Sequence, residues 1–267
     1  MASPRVLLLT GYGINCEEET AFAFSRCGAR CRIVHVNDLI ADPGQLAKAQ
    51  IFVVPGGFSY GDDTGSGNAL ANKMRNTLWP ELMDFVLQDH LVLGICNGFQ
   101  VLVNLGLLPG FAGAYGERRA ALIANLSSRY ECRWVELLVP ENRSVFLRGL
   151  DRLSIPIAHG EGRFYAPEEV VRQLREGGNV AMVYADEDGQ PAAGRFPQNP
   201  NGSLADIAAV CDDSGRILGM MPHPERALVL SQLPSWPDVT ARRVPGQWDD
   251  PGPGFSLFQN AVDYFSQ

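Results

Sequence analysis

The sequence predicts an α/β protein with a mostly parallel central sheet flanked by helices and a smaller, partly antiparallel addition. Three observations carry this reading. Apolar runs of strand length alternate with helix-length segments as far as Pro109. Those runs are almost continuously apolar, which fits strands covered by helices on both faces. Beyond Pro109 the chain changes to closely spaced strand candidates joined by short turns, the pattern of antiparallel neighbours.

The first strand is expected over residues 5–10, around Val6-Leu7-Leu8-Leu9. A helix over 17–28 would put Ala21, Phe24 and Ser25 on one face, with Gly28 as its stop. The β-branched stretch 31–36 reads as a second strand, and Ile51-Phe52-Val53-Val54 as a third running into Pro55-Gly56-Gly57. A helix over 68–89, a strand over 91–95 and a helix over 97–105 complete the first half. In the second half, strands are expected over 132–139, 154–158, 179–185, 205–211 and 216–221. The turn Asp212-Asp213-Ser214-Gly215 separates the last two. Residues 233–254 carry Pro234, Pro237, Pro245, Pro251 and Pro253 with Trp236 and Trp248, and the prolines are expected to exclude regular helix. A final helix over 255–265 places Phe255, Phe258, Val262 and Phe265 at three- and four-residue spacing for docking on the core.

The chain has 267 residues, 46% hydrophobic and 19% charged, which allows a real core and excludes disorder as the main state. Lys and Arg total 22 against 30 Asp and Glu, so a net charge of -8 points away from a nucleic-acid partner. Apolar runs fall far short of the roughly 18 residues that suggest a membrane span, and the N-terminus lacks a signal peptide's longer apolar region. A cytoplasmic location is expected. Six cysteines are too dilute for a disulfide scaffold and read as reduced thiols. Cys27 and Cys31 have metal-like spacing but no second Cys/His pair to complete a site.

The most informative segment is Leu91-Val92-Leu93-Gly94-Ile95-Cys96-Asn97-Gly98-Phe99-Gln100. An apolar strand, a cysteine between small residues and a helix make a nucleophile elbow. Its sharp turn leaves no room for large neighbours, hence Gly94 and Gly98. It lifts the sulfur out at the carboxyl edge of the sheet, where ligands of open α/β folds collect, and at a helix N-terminus that favours thiolate. Cys96 is therefore the candidate nucleophile, and an inert buried thiol is the default for the other five.

A cysteine nucleophile needs a base oriented by a third group. Of four histidines, His35 lies in an expected strand and His90 just before one, so both read as structural. His159 and His223 each have a carboxylate two residues on, at Glu161 and Glu225, which in extended chain faces the same way. Spacing favours His223 only modestly, through the stiffness of Pro222 and Pro224. The turn Pro55-Gly56-Gly57-Phe58-Ser59-Tyr60-Gly61-Asp62 should reach the same edge. It is no phosphate loop, because Asp62-Asp63 stands where a Lys-Ser/Thr pair belongs. A bare backbone N–H of this turn could join that of Asn97 in holding an oxyanion.

Taken together, Gly94-x-Cys96-x-Gly98-x-Gln100, Pro55-Gly56-Gly57 and His223-x-Glu225 resemble the triad, or class I, glutamine amidotransferases. More narrowly, four segments are similar to the glutaminase subunits of phosphoribosylformylglycinamidine synthases: Gly56 to Asp62, Cys96 to Gln100, Ala158-His159-Gly160-Glu161-Gly162 and Gly219 to Arg226. After Asp62 the chain departs from the Arg-Cys-Gly pattern of many such subunits. The resemblance implies a flavodoxin-like fold and a catalytic set of Cys96, His223 and Glu225. It implies oxyanion or substrate contacts from Gly56, Gly57, Phe58, Asn97, Gln100, His159 and Gly160, and no metal. Glutamine would be the substrate. Ammonia would pass to a large synthetase subunit, with a small accessory subunit as a further partner. The chain itself would hold no cofactor, ATP and Mg being expected on the synthetase. The 233–254 segment would pack on that partner or cover the chain's own core. A single domain over 1–267 is expected, since Cys96 and His223 come from opposite halves and must meet. Rival readings are the glutaminase of another amidotransferase, a stand-alone Cys-His hydrolase, a metal site drawing on Cys96, His159, Glu161, His223 and Glu225, and an inactive scaffold.

Overall fold

In the computed structural model, which describes residues 3–237 and 250–266, the expected alternation is present. Strand β1 (Arg5–Thr10) leads to α1 (Glu17–Arg26), β2 (Arg30–His35), α2 (Val36–Ala41), β3 (Ile51–Val54), α3 (Asn68–Leu87), β4 (Leu91–Ile95) and α4 (Asn97–Asn104). The second half contains β5 (Ala121–Ile123), β6 (Glu131–Leu138), β7 (Arg152–His159), β8 (Arg163–Tyr165), α5 (Glu168–Glu176), β9 (Val180–Ala185), β10 (Ile207–Cys211), β11 (Ile217–Met220) and α6 (Phe255–Asp263).

Nine strands form one sheet in the order β2-β1-β3-β4-β11-β10-β9-β6-β7, and β5 pairs with β8 in a separate ribbon. The five strands from β2 to β11 are mutually parallel. Every residue of β3 and β4 is buried, as the continuous apolar runs require. From β10 onward each neighbour is antiparallel. Most of the antiparallel addition thus extends the main sheet and does not stand apart from it. Although β7 is the far edge strand, its Pro156 carbonyl accepts from the His223 N–H at 2.8 Å, so this wing bends back over the carboxyl edge of β4 and β11.

Helix α1 buries Thr20, Ala23 and Phe24 and packs half-buried Ala21 against the core, while Ser25 is exposed; the stripe is turned slightly from the expected face, Ala23 taking the place of Ser25. Helix α6 docks as expected but through Leu257, Phe258, Ala261 and Val262, with Phe255 and Phe265 only half-buried. Its Phe258 ring meets Phe24 of α1 edge-on at 5.0 Å. The chain returns to it through a short clasp, in which Leu230 donates to Asp250, Gly252 to Leu228 and Gly254 to Ala227. Trp236 is described, but Pro245 and Trp248 of the proline-rich segment lie outside the described residues. His35 and His90 take structural roles: His35 Nδ1 accepts from the Asn37 N–H that opens α2, and His90 stacks on Phe85.

Candidate active site

Cys96 sits between β4 and α4 with φ 51° and ψ -106°, a left-handed backbone that a side-chain-bearing residue adopts only under constraint. The constraint is contact. A Cβ at Gly98 would lie 1.8 Å from the Val54 carbonyl oxygen, and one at Gly94 would lie 2.7 Å from that of Gly98. Only hydrogen fits at either place. The Cys96 N–H donates to the Met220 carbonyl at 2.7 Å, tying the elbow to β11, while its sulfur faces the Ala158 carbonyl of β7 at 3.7 Å.

The pairing of β4 with β11 sets the base. Gly94 lies opposite Gly219 and Ile95 opposite Met220, so the chain leaves both strands at the same level and His223 follows beside Cys96. The imidazole Nδ1 donates to Glu225 Oε1 at 2.5 Å with both side chains buried. That bond fixes the tautomer and leaves Nε2 for the sulfur side. Burial opposes charge on the ring, but the Glu225 carboxylate and the Cys96 sulfur outweigh it and hold His223 well above the ordinary histidine range.

The Pro55-Gly56-Gly57-Phe58 turn abuts the elbow. The Ser59 N–H donates to Asn97 Oδ1 at 3.2 Å, joining turn to helix. The Gly57 N–H has no acceptor among the described residues, and the Asn97 N–H, first of α4, has none within its helix. Both expected oxyanion donors are thus free to serve. Gly57 has φ 151°, and a Cβ there would strike the Gly13 carbonyl oxygen at 2.4 Å. Phe58 differs from its neighbours: its N–H is spent on Gly13, and its exposed ring lies 6.2 Å from that of Tyr130. It can line the entrance but cannot donate to an oxyanion.

Gln100 is engaged at both ends, accepting from Asn97 Nδ2 at 2.9 Å and donating to the Glu161 carbonyl at 2.5 Å. It holds the His159-Gly160-Glu161 segment against α4. Asn97 Nδ2 also donates to Asp62 Oδ1, and Glu161 Oε2 accepts from the Ser66 N–H, so the loop that departs from the family pattern is still anchored to the site. A cavity of about 220 Å³ opens there, lined by Ser66, Asn104 and Glu161 among others. Burial, with the Glu161 charge adding to it, raises Asp62 above the usual carboxylate range.

His159 is fixed by a residue that sequence reasoning passed over. Asn125 Nδ2 donates to the carbonyls of Arg129 and His159, so Asn125 Oδ1 accepts from His159 Nδ1 and from the Gly162 N–H. The ring is thereby assigned neutral with an unprotonated Nε2 that has no partner. Burial, together with the charge of His223, pushes it down to about 3. A histidine so placed stays neutral and does not shuttle protons at neutral pH.

Cys16 was also passed over. Its thiol is buried beside His223 and accepts from Arg226 Nη2 at 3.0 Å. The available signal was topological: Asn15-Cys16 follows β1 at the same sheet edge as the elbow. Cys16, His223 and Glu225 each place one donor atom within 4.8 Å of the others, a spacing that a soft cation could use. Arg226 already presents a positive charge there. Cys27, by contrast, is an ordinary core thiol whose burial pushes it up to about 12.

With this geometry in hand, comparison with known proteins is specific. The profile of the CobB/CobQ-like glutamine amidotransferase domain matches residues 3–265. The phosphoribosylformylglycinamidine synthase subunit PurQ of Methanococcus maripaludis is 49% identical over 99% of this chain and 98% of its own. The PurQ subunit of Dehalococcoides mccartyi is 42% identical over 100% of both chains. Among solved structures, a chain of PurLQS from Thermotoga maritima superposes with a TM-score of 0.71 at 29% identity, covering 99% of this chain and 100% of that one.

Proposed function

Because the chain belongs to the CobB/CobQ-like glutamine amidotransferase family, we infer that it is the glutaminase subunit of a phosphoribosylformylglycinamidine synthase. Full-length similarity to subunits of that name, at up to 49% identity, carries the assignment. The observation that carries the mechanism is the buried Cys96, His223 and Glu225 set, with two unpaired backbone N–H groups beside it.

In the proposed reaction the Cys96 thiolate attacks the side-chain carbonyl carbon of glutamine. The N–H groups of Gly57 and Asn97 stabilise the oxyanion. His223, held by Glu225, donates its Nε2 proton to the departing amine, releasing ammonia and leaving a γ-glutamyl thioester. The neutral imidazole then takes a proton from water, whose attack releases glutamate and restores the thiol. Gln100, His159 and Gly160 shape the substrate side, and Gly56 gives the imidazole room.

Ammonia passes to the synthetase subunit, which carries ATP and Mg and amidates formylglycinamide ribonucleotide; a small accessory subunit completes the assembly. Most free ammonia is protonated at neutral pH and then not nucleophilic, so a closed passage between subunits is chemically sensible. The subunit works in the cytoplasm, a compartment that keeps the thiol reduced. No helix of the described residues is long and apolar enough to cross a membrane.

A coupled assay tests this reading. Glutamate release by the chain alone should be slow and should rise when synthetase, ATP and formylglycinamide ribonucleotide are added. A glutamine-like electrophile should label Cys96, and Cys96→Ala should abolish the glutamine-dependent reaction while sparing the ammonia-dependent one. Full activity in isolation, or a label on another cysteine, would overturn it.

A further inference from the structure

Two thiols border the His223 imidazole. A Cβ added at Gly56 would lie 2.9 Å from His223 Cε1, 3.1 Å from Cys16 Sγ and 3.5 Å from Cys96 Cβ, so three side chains crowd one point. Cys16 donates its thiol hydrogen toward Asn15 Oδ1 at 3.3 Å and accepts from Arg226 Nη2 at 3.0 Å. The same guanidinium brings Nε within 3.9 Å of Glu225 Oε1. Glu225 uses that oxygen for His223 and leaves Oε2 buried without a partner. A guanidinium this close to a carboxylate with a free oxygen ordinarily closes a two-bond fork. Here one of its nitrogens is turned to sulfur.

We propose that Cys16 is a positioning residue that holds Arg226 away from a bidentate pair with Glu225 and so reserves the carboxylate for His223. The inference rests on the glutaminase reading, because it concerns how the base of that reaction is held. Were Arg226 to fork onto Glu225, the imidazolium would lose much of its counter-charge and its orienting bond would be shared. The thiolate–imidazolium pair would then be disfavoured against the neutral thiol and imidazole, and Cys96 would lose the adjacent cation that promotes its reactive form. Other titratable groups feel this pair: His159 from β7, Tyr130 ahead of β6 and Tyr184 from β9, with Glu19 of α1 beside Arg226. Among the described residues Arg226 is the only Arg or Lys within 4.0 Å of the Glu225 carboxylate, so it is the cation that can compete.

The test follows Cys96 alkylation by iodoacetamide against pH in the full chain, read by peptide mass spectrometry. It compares wild type, Cys16→Ala, Cys16→Ser and Cys16→Ala/Arg226→Met. Alanine and serine leave nearly the same cavity and differ in one acceptor. Cys16→Ala should move the acid limb up by about one pH unit and lower kcat for glutamine, measured with the synthetase, roughly tenfold with KM little changed. Cys16→Ser should stay near wild type, and the Arg226→Met background should recover most of the loss. An unmoved pH profile, or a loss that Arg226→Met does not recover, would make Cys16 a packing residue and overturn the proposal. Folding of Cys16→Ala only in the Arg226→Met background would support it; misfolding in both would overturn it. An inert Cys96 in wild type would instead overturn the glutaminase reading, and this inference with it.

Discussion

Replacing Gly56 by alanine introduces one methyl group where the nucleophile, its base and Cys16 meet. The new Cβ would lie 2.9 Å from His223 Cε1, against an ordinary contact of 3.4–4 Å. The imidazole must therefore withdraw by roughly 0.5–1 Å, since a densely packed site leaves it few other adjustments. Gly56 does not have the left-handed backbone of Gly57, so alanine adds no conformational strain and the effect falls on the dyad. A displacement of about 1 Å in a reacting pair costs on the order of 10²-fold, or about 2.7 kcal/mol of activation free energy. Overpacking should remove about 1–3 kcal/mol of stability, which a urea melt would measure. Steady-state glutamate release by the complex should thus show a kcat about a hundredfold lower and a smaller change in KM. A folded Gly56→Ala variant with kcat within about threefold of wild type would refute the placement of His223 against Cys96.

Other substitutions probe separate parts of the site. Gly98→Ala drives a Cβ to 1.8 Å from the Val54 carbonyl oxygen, backbone against backbone, and should destabilise by more than about 4 kcal/mol, visible as loss of soluble protein or of the cooperative thermal transition. Glu225→Gln keeps the shape but removes the charge that His223 relies on, and should lower kcat by on the order of 10²- to 10⁴-fold with a near-normal fold by circular dichroism. His159 should govern part of the acid stability. Its folded value is pushed down to about 3, below the roughly 6.5 of the unfolded chain, so unfolding takes up a proton and stability falls as pH drops below ~6.5, by about 2 kcal/mol at about pH 5. The raised His223 works oppositely, its contribution being full below ~6.5 and lost as pH climbs through its folded value. The difference in urea-melt stability between wild type and His159→Gln across pH isolates the first effect; a constant difference would refute it.

How far the fold is legible depends on what each element rests on. Strands β3 and β4 announce themselves because they are buried throughout and leave no polar position to blur the run, and β1 does so through its four central residues. The three-residue strands β5 and β8 do not, since each exists mainly by pairing with the other. Helix α2 is a six-residue segment capped by His35, too short for a repeating stripe, whereas α5 packs Val170, Val171 and Leu174 on one face of nine otherwise polar residues, a stripe that only one pair of turns displays. The elbow is legible because its glycines and cysteine are local, and His223-x-Glu225 because the pair is local too. Cys16, Asn125 and Arg226 act through contacts made only when distant loops share a sheet edge. No spacing within the sequence encodes that meeting.

The β4–β11 register also has a temporal meaning. A growing chain acquires Cys96 well before His223, and no neighbouring strand can substitute, because the Cys96 N–H is tied to the Met220 carbonyl of β11. The thiol therefore gains its base only when the last central strand slots between β4 and β10. Until that strand pairs, the elbow cysteine stands without its base.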